Sequence, residues 1–451
     1  MNWPEDFINK IICGDNLSVM KKMPDESIDM AITSPPYWGL RDYGFEQIFG
    51  GDPNCKHTWT TENVYHDNLR FRDPNKTANV GTDKNPKIFT DPKLKQGDCI
   101  YCGAWKGQLG LEPTPELYIE HLTETFNEIK RILKKEGTLW LNIGDTYGGS
   151  QQGGGDTGLS KERHRKELLT YKNKPQRKLM PKCLLMIPER LTWSLIQNGW
   201  ILRNKIIWFK PNSMPSSVKD RFNNKWEYLF LLSKNQKYYF DLDEVREPVK
   251  DPDELRYRRE LRKNKSYDLS NQWKSTRWGD KGSMSEEQIE AGKNPGDVFE
   301  INTQAFPEAH FAVFPEKLCE KPIKAGCPEE ICKKCGKARE RIIEGTSPGA
   351  FNIRVRDVKK KRIKHTDRKA SSEEIKDYKE GITHAGIGKY MKGWTDCNCK
   401  ADFESGIVLD PFCGTGTALY VAKELRRRFI GIDIKKEYCE LAEKRLAQGV
   451  L

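Results

Sequence analysis

The sequence predicts an α/β fold built on a doubly wound, mostly parallel, Rossmann-like sheet, and three observations predict it. Short apolar runs alternate with helical stretches in four successive units. One of those runs, Thr138–Ile143, reads as a strand buried on both faces. A glycine-bearing turn over 410–417 joins a strand directly to a helix, as ligand-binding turns of such sheets do.

In the first unit, Ile11-Ile12-Cys13 leads through Gly14-Asp15-Asn16 into a helical stretch ending at Lys22, and 27–32 forms a strand stopped by Pro35 and Pro36. In the second, Thr114-Pro115-Glu116 starts a helix that continues to Leu133, Gly137 closes it, and the strand 138–143 follows. The third has a helix over 184–198, Gly199 and a strand over 201–209. A further strand over 226–233 is expected to form a hairpin with Tyr238-Tyr239-Phe240. The fourth is a strand over 406–410, the glycine loop, a helix over 417–426 and a strand over 429–433. Polar segments with weak periodicity, about 44–110, 148–182, 241–298 and 338–395, read as insertions or loops.

The 451 residues carry a formal charge of +12, which suits a polyanionic partner but also fits a merely well-solvated surface. No apolar run approaches the roughly 20 residues that span a bilayer. The first residues lack the basic and apolar regions of a signal peptide. The expectation is a cytoplasmic protein with no membrane partner, whose 13 cysteines stay reduced and favour metal over disulfides.

Two loops carry the chemistry. In Asp410-Pro411-Phe412-Cys413-Gly414-Thr415-Gly416-Thr417, Gly414 and Gly416 let the backbone approach a ligand closely. Asp410 can receive an amino group, and Asp433, at the end of the next strand, suits ribose hydroxyls. Neither a phosphate-binding Gly-Lys-Ser/Thr nor a third nicotinamide-type glycine is present. The loop resembles the methionine-cofactor loop of amino-methyltransferases, with Phe412 and Thr417 among its contacts.

Thr33-Ser34-Pro35-Pro36-Tyr37-Trp38 follows the first unit's second strand. In the DNA amino-methyltransferases whose signature this loop resembles, the target exocyclic amine is a poor nucleophile because its lone pair is delocalised into the base. The Ser34 hydroxyl and the Pro35 carbonyl can accept both amino hydrogens and turn that lone pair toward a sulfonium methyl. Pro35 and Pro36 hold the carbonyl rigid, and Tyr37 can stack on a base rotated out of the duplex. A loop-breaking role alone would also explain two prolines after a strand. No Pro-Cys pair supports carbon-5 chemistry.

Ser34-Pro35-Pro36-Tyr37 resembles the signature of DNA methyltransferases acting on amino nitrogens. Its position ahead of the cofactor loop resembles the circularly permuted beta class. That resemblance implies S-adenosylmethionine as cofactor, double-stranded DNA as substrate and a restriction endonuclease as a potential partner. It also implies that Asp15 lies near the cofactor's adenine or ribose, and that Phe314-Pro315-Glu316-Lys317-Leu318 lines its methionine end. Serine at the first position resembles cytosine-N4 enzymes, with adenine-N6 as the runner-up. RNA or protein glutamine methylation, and an inactive nucleic-acid-binding zinc protein on this fold, are more remote readings.

The expected organisation is a catalytic-loop part over 1–43, an insertion over 44–110 and further catalytic domain over 111–240. A target-recognition region over 241–300 and a cofactor-binding part over 301–451 complete it. The target-recognition region interleaves Arg256, Tyr257, Arg258, Arg259, Arg262, Lys263, Trp273, Lys274, Arg277 and Trp278, residues able to track phosphates and read bases. The basic stretch 164–178 is a second candidate DNA contact. Cys332-x-x-Cys335 with Cys397-x-Cys399, inside an insertion over about 327–400, has the donor set of structural zinc. So does Cys55-x-His57 with Cys99-x-x-Cys102, and Cys327 is a substitute ligand for the first set.

Overall fold

The computed structural model describes residues 1–60, 97–148, 181–249, 251–253, 255–256, 289, 291–304, 314–344 and 390–448. The chain divides into two compact units, one of residues 1–238, 297–327 and 406–451, the other of 239–296 and 328–405.

The first unit is built on an eight-stranded sheet. Its strands are β1 (Lys10–Cys13), β2 (Ile28–Thr33), β5 (Leu133–Ile143), β6 (Ile201–Phe209), β7 (Trp226–Ser233), β8 (Val298–Glu300), β13 (Ile407–Asp410) and β14 (Arg428–Asp433). Their spatial order is β1-β14-β13-β2-β5-β7-β6-β8. Only β7 runs antiparallel to its neighbours, so the sheet is mostly parallel, as expected. β3 (Gln47–Phe49) and β4 (Trp105–Gly107) form a separate antiparallel ribbon in the same unit.

Among the described residues six helices accompany the sheet: α1 (Asn16–Met20), α2 (Pro115–Ile132), α3 (Ile187–Gln197), α4 (Glu316–Gly326), α5 (Thr417–Glu424) and α6 (Lys436–Gln448). Strand residues alternate between the layers. Leu139, Leu141 and Ile143 join Leu122, Phe126, Ile129 and Leu191 of α2 and α3 in one continuous core. Met30 and Trp140 face the other way, close against Gly326 at the end of α4. α2 starts where the sequence sets it: the Thr114 hydroxyl accepts from the Leu117 amide, and Pro115 occupies the first turn. α3 starts three residues later than expected, because Met186 is left-handed and the Asp145 carboxylate caps the helix by accepting from the Met186 and Ile187 amides, both at 3.0 Å.

Two sequence expectations need correction. Gly137 does not close α2, which ends at Ile132, but lies inside β5. A Cβ there would come within 3.1 Å of the Asp29 carbonyl, so the glycine allows β5 to approach β2 closely beside the register shift between Ile28 and Met30. The strand over 226–233 forms no hairpin with 238–240, which is irregular. Instead β7 is wedged between β5 and β6, where Phe230, Leu231 and Leu232 are buried.

In the second unit, β9 (Ile331–Cys332) pairs with β12 (Phe403–Glu404), and β10 (Arg341–Glu344) with β11 (Tyr390–Trp394). Arg341 lies over the Trp394 ring and forms ion pairs with Asp241, Glu244 and Glu329. Of the expected target-recognition residues only Arg256 is described, paired with Asp253. The others, and the basic stretch 164–178, lie outside the described residues. Among the described residues no helix is long and apolar enough to cross a membrane.

Candidate active site and metal centres

Parallel pairing brings the carboxyl ends of β1, β14, β13, β2 and β5 to one edge of the sheet. From β13 the chain continues to β14 on one side, and from β2 to β5 on the other. The β13–β2 junction is therefore a topological switch point, where open α/β sheets form their ligand crevice. Asp410 and Ser34 stand on its two sides.

The two loops touch directly. The Thr33 hydroxyl donates to Asp410 Oδ1 at 2.6 Å across 377 residues of sequence, and the Phe412 amide donates to the same oxygen at 3.1 Å. Asp410 is fully buried, and its Oδ2 has no hydrogen-bond partner. Burial pushes its carboxyl up to about 7.

Asp433 Oδ2 accepts from the Gly414 amide and Oδ1 from the Lys435 amide, each at 2.9 Å. Burial raises this carboxyl despite those amides. The β1–β14 register sets Cys13 opposite Asp433, so Asp15 follows beside it. Asp15 caps α1 through the Ser18 amide and accepts from the Gln47 side chain.

Gly414 and Gly416 are both left-handed, at φ 50° and 75°. A Cβ on Gly414 would project into open space, whereas one on Gly416 would meet the Ala442 Cβ at 2.9 Å. Phe412 packs against the core's edge. Thr417 begins α5, and its hydroxyl accepts from Arg445 at 2.9 Å. The same guanidinium pairs with Glu316 at 2.5 Å, tying the segment headed by half-buried Phe314 to the cofactor loop.

On the catalytic side Pro35 is buried, and Ser34, Pro36 and Tyr37 are half-buried. The Tyr118 hydroxyl donates to the Pro36 carbonyl at 2.8 Å, fixing the loop one residue beyond the Pro35 carbonyl. The Ser34 hydroxyl lies 3.4 Å from that of Tyr37, which in turn donates to Glu227 at 2.8 Å with Asn142 Oδ1 at 3.1 Å. Glu227 is paired with Lys210, and the Asn142 amide group donates to the Tyr228 carbonyl at 2.9 Å. Burial, reinforced by the Glu227 carboxylate, pushes the Tyr37 phenol well above its ordinary range.

Sequence reasoning missed Tyr118, Asn142, Lys210 and Glu227. A polar Asn inside the otherwise apolar strand 139–143 was the one signal available.

The cysteine sets assemble as their spacing implied. In each of the two groups, Cys55, His57, Cys99, Cys102 and Cys332, Cys335, Cys397, Cys399, the four donor atoms lie within 4.8 Å of one another. A tetrahedral zinc with bonds of about 2.3 Å to sulfur and about 2.0 Å to nitrogen has S···S edges near 3.8 Å and S···N edges near 3.5 Å. Cys55 and Cys99 sulfurs are 3.9 Å apart, and Cys102 Sγ is 3.4 Å from His57 Nδ1, so the donor set fits. The second group forms without Cys327, which is buried at the end of α4. Amides of Cys335 and Lys334 bring the Cys332 thiol down to about 7. Burial opposes the Cys99 thiolate, but amides of Tyr101, Cys102 and Thr58 with His57 outweigh it and bring that thiol to about 6.

Comparison with known proteins finds relatives along nearly the whole chain. The chain is 28% identical over 438 residues to the type II methyltransferase M.SmaI of Serratia marcescens, covering 97% of this chain and 90% of that one. It is 27% identical over 433 residues to M.Cfr9I of Citrobacter freundii, covering 96% and 86%. Among solved structures it is similar to PvuII DNA methyltransferase (cytosine-N4-specific), with 13% identity, a TM-score of 0.44 and coverage of 98% of this chain and 87% of that one. The family described as DNA methylase, the N6/N4 methyltransferases, matches residues 28–332 and 400–444. The chain therefore belongs to the DNA methylase family of N6 and N4 amino-methyltransferases.

Proposed function

We propose that this protein is a type II, S-adenosylmethionine-dependent DNA methyltransferase that methylates the exocyclic N4 of cytosine. The observation that carries the reading is the direct Thr33–Asp410 hydrogen bond, which holds the Ser34-Pro35-Pro36-Tyr37 loop beside the Asp410–Thr417 loop at the switch point of the sheet.

The chemistry follows from these residues. Asp410 Oδ2, buried and unpartnered, would receive the cofactor's ammonium, and the open space at Gly414 would leave room for the cofactor against the backbone. Asp433 and Asp15 would hold the ribose and adenine, and Phe314 the methionine end. Ser34 Oγ and the Pro35 carbonyl accept the two amino hydrogens of a flipped cytosine, so its nitrogen lone pair points at the methyl group. S-adenosylmethionine, held there, would supply the sulfonium methyl: its S–CH₃ bond would break as the N–CH₃ bond forms, S-adenosylhomocysteine would be the leaving group, and the amino nitrogen would shed one proton to solvent. Glu227 and Asn142 hold the Tyr37 hydroxyl, which orients the ring for stacking on the extruded base.

The preference for cytosine rests on Ser34, and adenine N6 is the alternative. Residues 241–300 are assigned to target recognition on their basic and aromatic composition, and both cysteine sets to structural zinc on their geometry. The test is incubation of the purified protein with cofactor and DNA, followed by nucleoside mass spectrometry. N4-methylcytosine is expected, with roughly 10²-fold loss in Ser34→Ala while cofactor binding by calorimetry persists. N6-methyladenine would overturn the base assignment, and full activity in Ser34→Ala would overturn the role of that hydroxyl.

A further inference from the structure

We infer that the metal held by Cys55, His57, Cys99 and Cys102 supports the catalytic loop, so that methyl transfer depends on a zinc ion that takes no part in the reaction. The two ends of the insertion meet at this cluster. Trp59 bridges Cys99, the Ile100 amide donates to the Thr58 carbonyl, the Gly97 amide to the Thr60 carbonyl, and the Thr60 amide to the Asp98 carbonyl. The Cys99–Cys102 turn closes with the Gly103 amide on the Cys99 carbonyl at 3.0 Å, and Gly103 is left-handed at φ 71°. In the other cluster Gly336 does the same for Cys332, at 2.9 Å and φ 68°. Two independent Cys-x-x-Cys-Gly turns thus share one metal-binding geometry. Four protein ligands leave no open position, which assigns the ion a structural task.

What distinguishes the Cys55 cluster is what its ribbon holds. Three residues past Cys102, β4 pairs with β3, and the chain then runs alongside the catalytic loop. The Gln108 side-chain oxygen accepts from the Tyr43 and Gly44 amides at 2.6 and 3.1 Å, and its nitrogen donates to the Arg41 carbonyl at 2.9 Å. The Gly39 amide donates to the Gly110 carbonyl at 2.7 Å, and the Trp38 indole to the Glu112 carbonyl at 3.2 Å. A Cβ on Gly110 would reach the Tyr37 carbonyl at 3.0 Å. Gln47 of β3 donates to Asp15. Both sides of the catalytic crevice therefore lean on a ribbon of three-residue strands, too short to be rigid without closure at its far end.

The inference rests on residues 34–37 being the catalytic loop, and the experiment reads metal and loop separately from activity. The full chain is assayed for metal by plasma mass spectrometry, for backbone exchange over 39–44 by deuterium uptake, and for methyl transfer, as wild type, Cys102→Ser and His57→Cys. Wild type should carry zinc. Cys102→Ser should lose one equivalent, exchange at least about tenfold faster over 39–44 and lose activity to a similar degree. His57→Cys, which restores four donors, should keep zinc, slow exchange and activity. Should Cys102→Ser fail to fold, chelation and zinc re-addition are followed in wild type and in Cys335→Ser, so that loss from this cluster is read apart from loss at the other. A wild-type protein without metal at this cluster, or metal loss with unchanged exchange over 39–44, would overturn the inference. Absence of methyl transfer in wild type would instead strike the assignment of the loop's function.

Discussion

A buried carboxylate with one oxygen engaged and the other unpartnered is destabilising unless a ligand meets it. Asp410 is such a group, and its carboxyl is raised from 3.8 to about 7 by burial. Because the folded value lies above the unfolded one, its contribution to stability is fully present below pH 3.8 and is lost as pH rises through about 7. A cofactor ammonium bound at Asp410, as proposed, would supply the missing partner only to the ionised form. Thermal stabilisation by S-adenosylmethionine is thus expected to grow between pH 6 and pH 8, and Asp410→Asn to melt higher than wild type at pH 8 while failing to bind cofactor. A stabilisation flat with pH, or normal binding by Asp410→Asn, would contradict that role.

Glu227 makes a second prediction at this scale. Glu227→Gln breaks the pair with Lys210 and weakens the hold on Tyr37. It should lower kcat by roughly tenfold, about 1.4 kcal/mol, with cofactor affinity unchanged in calorimetry. An unaltered kcat would remove Glu227 from the positioning of the loop.

Among the elements, the strand-loop-helix over 407–424 holds one packed glycine, Gly416, and one open glycine, Gly414. Gly416→Ala combines a left-handed backbone with collision against α6, and should cost about 1–3 kcal/mol in denaturant unfolding. Gly414→Ala meets no neighbour, so its cost should be nearer 1 kcal/mol, while cofactor affinity falls further than in Gly416→Ala. The reverse ranking would place the ligand elsewhere. At this scale the sequence was legible where local chemistry decides: the Thr114 cap with Pro115 for α2, and apolar runs for β2, β6 and β13. It misled at Gly137, because a glycine after a helix signals a cap as well as a strand irregularity. It misled again at β7, because an aromatic-rich run does not say which strand it pairs with.

For the whole molecule, residues from 15 to 433 gather at one edge because parallel strands end on the same side. Ser34 and Asp410 were readable in advance because each sits in a contiguous motif whose residue types the chemistry dictates. Asn142 and Glu227 were not, since only the antiparallel register of β5 and β7 brings them to Tyr37. The central claim, methyl transfer to cytosine N4 in a defined DNA sequence, is tested most directly by methylation-aware sequencing of DNA from cells expressing the wild-type chain or Ser34→Ala. N4-methylcytosine at one recurrent motif, lost with Ser34→Ala, is the predicted result. N6-methyladenine at such a motif, or no modified base with the wild-type chain, would contradict it.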